Sequence, residues 1–353
     1  MRPPIACLGA GRMGRGIAVV FAFAGYDVTV IDFKARPPDA FAQLAAEARA
    51  EIEGTLAMLA RIGLLQAGDI APIAAHIRIV AEPEAAAALS AAKVLFEAVP
   101  EALALKRDAL ARASRQAGRD TIIASTTSTI LVDALADAVA GPERFLNAHW
   151  LNPAFLVPLV EISPGARTAA DTTARLVELL DGIGKVPVIC AASPGFIVPR
   201  IQLLAMNEAA RMVEEGVASA AEIDKAVKYG FGFRFAVLGL LEFIDWGGGD
   251  TLHYASEYLS KALGHARYEA PAVIARNMAQ GRIGMTTGAG FLDYSGVDMA
   301  AYREGRLSAF ADLLRGMGLA RPPVVGETGT VADTDSQCDQ ANHDRGRVTG
   351  STE

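Results

Sequence analysis

The sequence predicts an α/β chain: a doubly wound, parallel-sheet domain followed by an all-α C-terminal domain. Three observations carry this. Short β-rich runs alternate with helical ones up to about residue 190, the pattern of a parallel sheet covered on both faces. A glycine-rich turn, Gly9-Ala-Gly11-Arg-Met-Gly14, joins the first such run to the first helical one. Beyond Ser193-Pro-Gly195 the strand signal fades, and helical patterns with Gly-rich turns take over.

Taken in order, Ile5–Leu8 reads as a strand, Met13–Ala24 as a helix and Val28–Ile31 as a strand. An Ala-rich helical stretch covers roughly Pro38 to Leu65. Further strands are expected at Ile77–Val80, Val94–Val99, Thr121–Ala124 and Phe145–His149, with helices between most of them. Val157–Ile162 and Val186–Ile189 read as later strands of the same sheet. The domains expected are therefore 1–190 for the sheet and 191–325 for the helices. Residues 326–353 are rich in Thr, Asp, Ser and Gln; with so little apolar surface to offset ordering entropy, they are expected to be a disordered tail.

Composition narrows the function classes. The 353 residues are 52% hydrophobic and 21% charged, ample for two packed domains. Mean hydropathy is +0.27, yet the apolar runs are short; Ile17 to Ala24 cannot span a bilayer. No membrane partner and no signal peptide are expected. The net charge of −7 argues against nucleic acid, which needs a basic surface. Cys7, Cys190 and Cys338 lie far apart without metal spacing, so a cytoplasmic location and no metal are expected. His76, His253, His265 and His343 likewise show no ligand spacing.

The glycine turn carries the first chemistry. Its context is a complete dinucleotide-binding unit of Rossmann type: a strand precedes it, a helix follows, and a second strand ends at Asp32, 18 residues after Gly14. Gly9 would make the tight turn, Gly11 would admit the pyrophosphate at the helix N-terminus, and Gly14 would allow close helix–strand contact, with Met13 beside them. Asp32 can accept hydrogen bonds from the adenine ribose hydroxyls and would repel a 2′-phosphate, which favours NAD over NADP. Lys34 and Arg36 lie close behind it.

Four further segments stand in one order and spacing: Phe96-Glu-Ala-Val-Pro-Glu101 with Lys106, Ala124-Ser-Thr-Thr-Ser128, His149-Trp-Leu-Asn-Pro153 through Glu161, and Ser193-Pro-Gly-Phe-Ile197. With Thr287-Gly-Ala-Gly-Phe-Leu-Asp-Tyr294 as a closing motif, the chain from Ile5 to about Tyr294 resembles the L-3-hydroxyacyl-CoA dehydrogenase family, which includes relatives acting on free hydroxy acids such as L-gulonate and carnitine. The resemblance implies roles. His149 would be the general base for the substrate hydroxyl, Glu161 its orienting carboxylate, and Ser128 a hydrogen-bond donor to the substrate oxygen. Glu101 and Lys106 would contact the nicotinamide-side ribose, and Asn152 would sit beside the pair as a substrate contact. The active site would lie between the two domains, and the helical domain would form a homodimer. The residues agree on their own terms. Hydroxyl oxidation needs a base that titrates near working pH; a carboxylate can fix its tautomer, and an Asn-Pro turn between His149 and Glu161 lets the chain fold back.

The sequence also departs from the family. Pro199 and Thr126 stand where acyl-CoA members carry Asn, and proline offers neither an amide side chain nor a backbone N–H. Gly230-Phe-Gly-Phe-Arg234 replaces a Pro-rich run and looks more like the gulonate and carnitine branch, with Arg234 able to clamp a substrate carboxylate. Between Phe41 and Ala75 the only cations are Arg49 and Arg61, few for the phosphates of CoA. The reading is thus an NAD-dependent (S)-3-hydroxyacyl-CoA dehydrogenase. Its alternatives are the same chemistry on a free 3-hydroxy acid held by Arg234, and a non-catalytic structural or binding protein on the same fold.

Overall fold

The computed structural model describes residues 2–323; the expected tail at 326–353 lies outside them. Residues up to Arg211 and from Met212 onward form two compact units.

The first unit is a sheet layered between helices. Strand β1 (Ile5–Leu8) leads through the glycine turn into α1 (Arg12–Phe23) and on to β2 (Val28–Asp32). Helix α2 (Pro38–Arg61) starts on a proline whose missing N–H costs nothing in a first turn, and Gly63, at φ +81°, turns the chain away after it. Helix α3 (Ile70–Ala75), β3 (Ile77–Ala81), α4 (Ala86–Ala91) and β4 (Val94–Glu97) follow. Strand β4 stops two residues short of the expected Val99, because the Val99 N–H turns back to donate to Glu97 Oε1 at 2.8 Å. Next come α5 (Leu103–Gln116), β5 (Ile122–Ser125), α6 (Val132–Ala136), β6 (Phe145–Trp150), β7 (Leu159–Pro164), α7 (Ala170–Asp181) and β8 (Val186–Ile189).

The sheet order is β3-β2-β1-β4-β5-β6-β7-β8. All neighbours pair in parallel, as the alternation predicts, except β6 and β7, which run antiparallel. The cause is the length of the link. A parallel return needs a crossover of a dozen or more residues, usually a helix, and residues 151–158 provide neither. The chain folds straight back, with His149 opposite Glu161.

Period-two alternation then sorts the side chains. On one face Val94, Phe96, Ile122, Ala124, Leu146, Ala148, Trp150, Val160 and Ile162 pack into the core with α1 and α2. On the other, Leu95, Ile123 and Phe145 pack under α5 and α6. Glu97, Ser125, Asn147, His149 and Glu161 share the parity of that second face and are all buried.

Helix α8 (Val198–Glu214) begins just after Ser193-Pro-Gly195, and the division between the units falls inside it. Leu203, Leu204 and Met206 along it are each more than 60% exposed. The second unit holds α9 (Ala220–Ala226), a π-helical stretch Val227–Phe231, α10 (Gly232–Phe235), α11 (Leu240–Gly247), α12 (Gly249–Leu263), α13 (Ala272–Ala279) and α14 (Met299–Gly316). Its anchor is the buried Asp245, which accepts from the N–H groups of Phe291 and Leu292, both at 2.8 Å, and from the Tyr294 hydroxyl. A side chain at Gly290 would lie 2.0 Å from Asp245 Oδ1, so the closing motif needs glycine there to wrap this carboxylate.

Candidate active site

The glycine turn has the geometry of a phosphate cradle. Gly9 adopts φ +101°, and an added Cβ would stand 2.7 Å from the Ala98 carbonyl oxygen. At Gly14 the same atom would lie 2.0 Å from the Gly9 carbonyl oxygen, so both positions demand glycine. Gly11 differs: nothing lies within 4 Å of a Cβ built on it. It is the N-cap of α1 and provides no side-chain cap, so the first-turn N–H groups, Met13's among them, have no capping partner among the described residues at the positive end of the helix. That is the space and polarity a dinucleotide pyrophosphate fits. Asp32 ends β2 and is buried, with Arg36 Nε donating to its Oδ2 at 2.6 Å. One oxygen of the expected ribose acceptor is therefore shared with a cation four residues on.

Across the β6–β7 ladder, His149 Nδ1 lies 2.7 Å from Glu161 Oε2. Glu161 is 0% and His149 5% exposed. The other carboxylate oxygen, Oε1, accepts from the N–H groups of Ile197 and Val198, each at 2.8 Å. Ile197 immediately precedes α8 and Val198 opens it, so Glu161 is held between an imidazole and a helix N-terminus. A carboxylate only accepts, so Nδ1 carries the proton toward Glu161 and Nε2 is left as an acceptor. Pro199 occupies the second position of α8, where a missing N–H leaves no helical bond unmade. Phe196, next to Ile197, stacks on the His149 ring with centroids 4.9 Å apart and planes 17° from parallel. Its φ of +45° is a left-handed conformation that costs a non-glycine residue about 1–2 kcal/mol. Burial first, and the charge of Glu161 second, push the Cys190 thiol upward, so it stays protonated and is a poor nucleophile.

A second polar cluster sits at the ends of β4 and β5. Lys106, 1% exposed, places Nζ 2.9 Å from Glu97 Oε1, 3.1 Å from the Val99 carbonyl and 3.3 Å from Glu101 Oε2. Ser125 donates to Glu97 Oε2 at 2.5 Å. Glu101 Oε1 accepts from the Thr127 and Thr129 hydroxyls and from the N–H groups of Ser128 and Thr129. Burial pushes the Glu101 carboxyl up, but the Thr127 and Thr129 hydrogen bonds and the Lys106 charge outweigh it and hold the group below the ordinary glutamate value. Lys106 is thus spent inside the protein, while Glu101 keeps an exposed edge. The Ser128 hydroxyl makes no hydrogen bond among the described residues.

Asn152 is exposed in the β6–β7 link, joined to Pro153 by a cis peptide bond. Arg234 belongs to the second unit; it is exposed, lies over the Phe243 ring at 5.6 Å and has no anionic partner among the described residues. Thr126, at the end of β5, is half-buried. Three residues that complete these clusters were not singled out from the sequence. Glu97 and Ser125 were legible as polar residues with strand parity; Phe196 stands inside the Ser193–Ile197 segment, but nothing there signals its contact with His149. Among the described residues no His, Cys, Asp and Glu group is placed to hold a metal, and no helix is long and apolar enough to cross a membrane.

Comparison with known proteins agrees with this geometry. Residues 4–193 match the family model "3-hydroxyacyl-CoA dehydrogenase, NAD binding domain", and residues 195–294 match "3-hydroxyacyl-CoA dehydrogenase, C-terminal domain". A probable 3-hydroxybutyryl-CoA dehydrogenase from Deinococcus radiodurans is 33% identical over 81% of this chain and 98% of its own. The 5-formyl-3-hydroxy-2-methylpyridine 4-carboxylate 5-dehydrogenase of Mesorhizobium japonicum is 31% identical over 82% of this chain and 90% of its own. The crystal structure of a 3-hydroxyacyl-CoA dehydrogenase from Archaeoglobus fulgidus superposes with a TM-score of 0.71 at 29% identity, covering 90% of this chain and 100% of that one. With a Rossmann-type nucleotide cradle, a helical unit after it and both family domains matched in order, the chain belongs to the 3-hydroxyacyl-CoA dehydrogenase family of NAD-dependent oxidoreductases.

Proposed function

We propose that this enzyme is an (S)-3-hydroxyacyl-CoA dehydrogenase acting on a 3-hydroxybutyryl-CoA-like thioester, with His149 and Glu161 as its acid/base pair. The observation that carries the reading is the buried 2.7 Å bond from His149 Nδ1 to Glu161, which leaves Nε2 free to take a proton. Bound NAD supplies the hydride acceptor. The protein's share is position and proton transfer. As the 3-hydroxyl is oxidised, its proton moves to His149 Nε2, and Glu161 stabilises the imidazolium that forms. The Ile197 and Val198 N–H groups keep Glu161 aimed at Nδ1. The Ser128 hydroxyl donates to the substrate oxygen. Glu101, set by Lys106 and the threonines, faces the nicotinamide-side ribose, with Asn152 a further substrate contact. The exposed apolar side chains of α8 support a homodimer through the helical part of the chain.

A second reading, a free 3-hydroxy acid whose carboxylate is met by Arg234, is favoured by the lack of any anionic partner for that guanidinium among the described residues. Of the cations in 41–75, Arg49 is already committed to the Ala74 and Ile77 carbonyls. Oxidation of (S)-3-hydroxyacyl-CoA thioesters and of free 3-hydroxy acids, followed at the NADH absorbance band, decides between them. Thioester turnover with Arg234→Ala unchanged supports the first reading. Turnover of acids alone, with a raised KM in Arg234→Ala, replaces it with the second.

A further inference from the structure

We infer that Phe196 is a positioning residue for the acid/base pair: its ring is the π-face against which the His149 imidazolium forms. This rests on the reading of His149 as the base.

Three observations on one short segment converge. The ring lies nearly parallel to the imidazole, 17° off, at a centroid distance of 4.9 Å. Cations are attracted to an aromatic face within about 6 Å, and the attraction strengthens where water is excluded; here Phe196 is 7% and His149 5% exposed. A neutral imidazole gains little from that face and an imidazolium gains more, so the contact favours the protonated state reached in the reaction. The backbone at Phe196 has φ +45°, a conformation phenylalanine rarely adopts. Local strain of this kind persists only where the surroundings impose it, and it clusters at functional sites. The surroundings here are the dyad itself: the next two N–H groups, of Ile197 and Val198, are the donors that hold Glu161 Oε1. One left-handed residue thus turns the chain so that its ring covers the base while the following amides grip the carboxylate. The ring also covers one face of His149, while the bond from Nδ1 to Glu161 leaves the in-plane Nε2 edge as the place where a proton enters. The titratable neighbours of His149 in this arrangement are Glu161 on β7 and, beside Glu161, Cys190 after β8.

The test is the titration of the His149 ring, followed by NMR in the full-length enzyme with NAD bound, its signal assigned by its loss in His149→Gln. Phe196→Leu keeps apolar bulk without a π-face. Pentafluorophenylalanine at position 196 keeps the shape and reverses the ring's charge distribution. Both are expected to lower the midpoint by about half a unit to one unit, whereas Phe196→Tyr keeps it. The acid limb of kcat/KM for 3-hydroxybutyryl-CoA moves with the midpoint. Should the leucine variant not fold, Phe196→Gly, which suits the left-handed backbone, takes its place. A midpoint unchanged in the fluorinated protein overturns the inference, as does one lowered equally by tyrosine. Failure of the underlying reading looks different: His149→Gln would then retain turnover, whatever the Phe196 variants do.

Discussion

Replacing Glu161 by Gln changes the charge of the dyad with almost no change of shape, and the structure dictates how the amide must sit. The carboxylate accepts three hydrogen bonds: two at Oε1 from Ile197 and Val198, and one at Oε2 from His149 Nδ1. If the glutamine oxygen faces the two backbone N–H groups, those bonds survive and its NH2 meets Nδ1. If the amide is flipped, its NH2 opposes two N–H donors, and two buried donors go unpaired at about 1–3 kcal/mol each. The first orientation wins. It obliges Nδ1 to accept, so the ring's proton moves to Nε2, the atom that has to receive the substrate proton. An Asn-for-Asp change with the same consequence in a serine-protease triad lowers kcat about 10⁴-fold, equivalent to about 5 kcal/mol of activation free energy. We expect kcat for 3-hydroxybutyryl-CoA to fall about 10³–10⁴-fold in Glu161→Gln. NAD affinity, read by nucleotide fluorescence, should stay within twofold. Stopped-flow single turnovers separate the chemical step from release. A kcat within tenfold of the parent, or a loss confined to KM, would refute the tautomer argument.

Lys106→Met leaves Glu97 buried without its cation and should cost about 3–5 kcal/mol, seen as a fall of roughly 10 °C in Tm. Adding Glu97→Gln should restore most of that loss, and a double variant no more stable than the single one contradicts the pairing. Gly14→Ala drives a methyl into the Gly9 carbonyl and should lower Tm, whereas Gly11→Ala meets nothing and should leave Tm unchanged while raising the NAD Kd at least tenfold. Thermal melts and nucleotide titrations of the pair check both. Because the folded-state pKa of Glu101 is depressed, the stability it contributes is complete above its unfolded value and lost as pH falls through the lower folded one. Glu101→Gln should therefore flatten the acid limb of Tm against pH, and an unaltered limb counts against the Thr127–Glu101–Thr129 cluster.

Much of the first unit was legible because its signals are local. Eight β-rich runs appear as eight strands with ends shifted by at most two residues, since apolar runs and flanking glycines act over a few residues. The glycine turn was legible for the same reason: a left-handed Gly9 and a sterically crowded Gly14 are properties of one loop. The reversal of β7 followed from a link too short for a crossover, a signal present in the spacing but overruled by the general strand–helix alternation. Lys106 shows the opposite limit. At the start of a helix it reads as a solvated or ligand-facing cation, and only the packing of α5 on β4 reveals that its ammonium lies inside, between two carboxylates.

Taken alone, the amino-acid order determined the nucleotide cradle, the alternation that builds the sheet, and the residue types from which a proton-transfer pair could be drawn. Those depend on steric and periodic rules that operate within one or two turns of chain. Tertiary structure alone decided that His149 and Glu161 stand opposite each other on antiparallel strands, that the Ile197 and Val198 amides grip the carboxylate, and that Phe196 covers the imidazole. These contacts join positions 12 to 47 residues apart. Hydrogen bonds and ring stacking act over only a few ångströms, so separation along the chain leaves no trace of them until the fold brings the partners together.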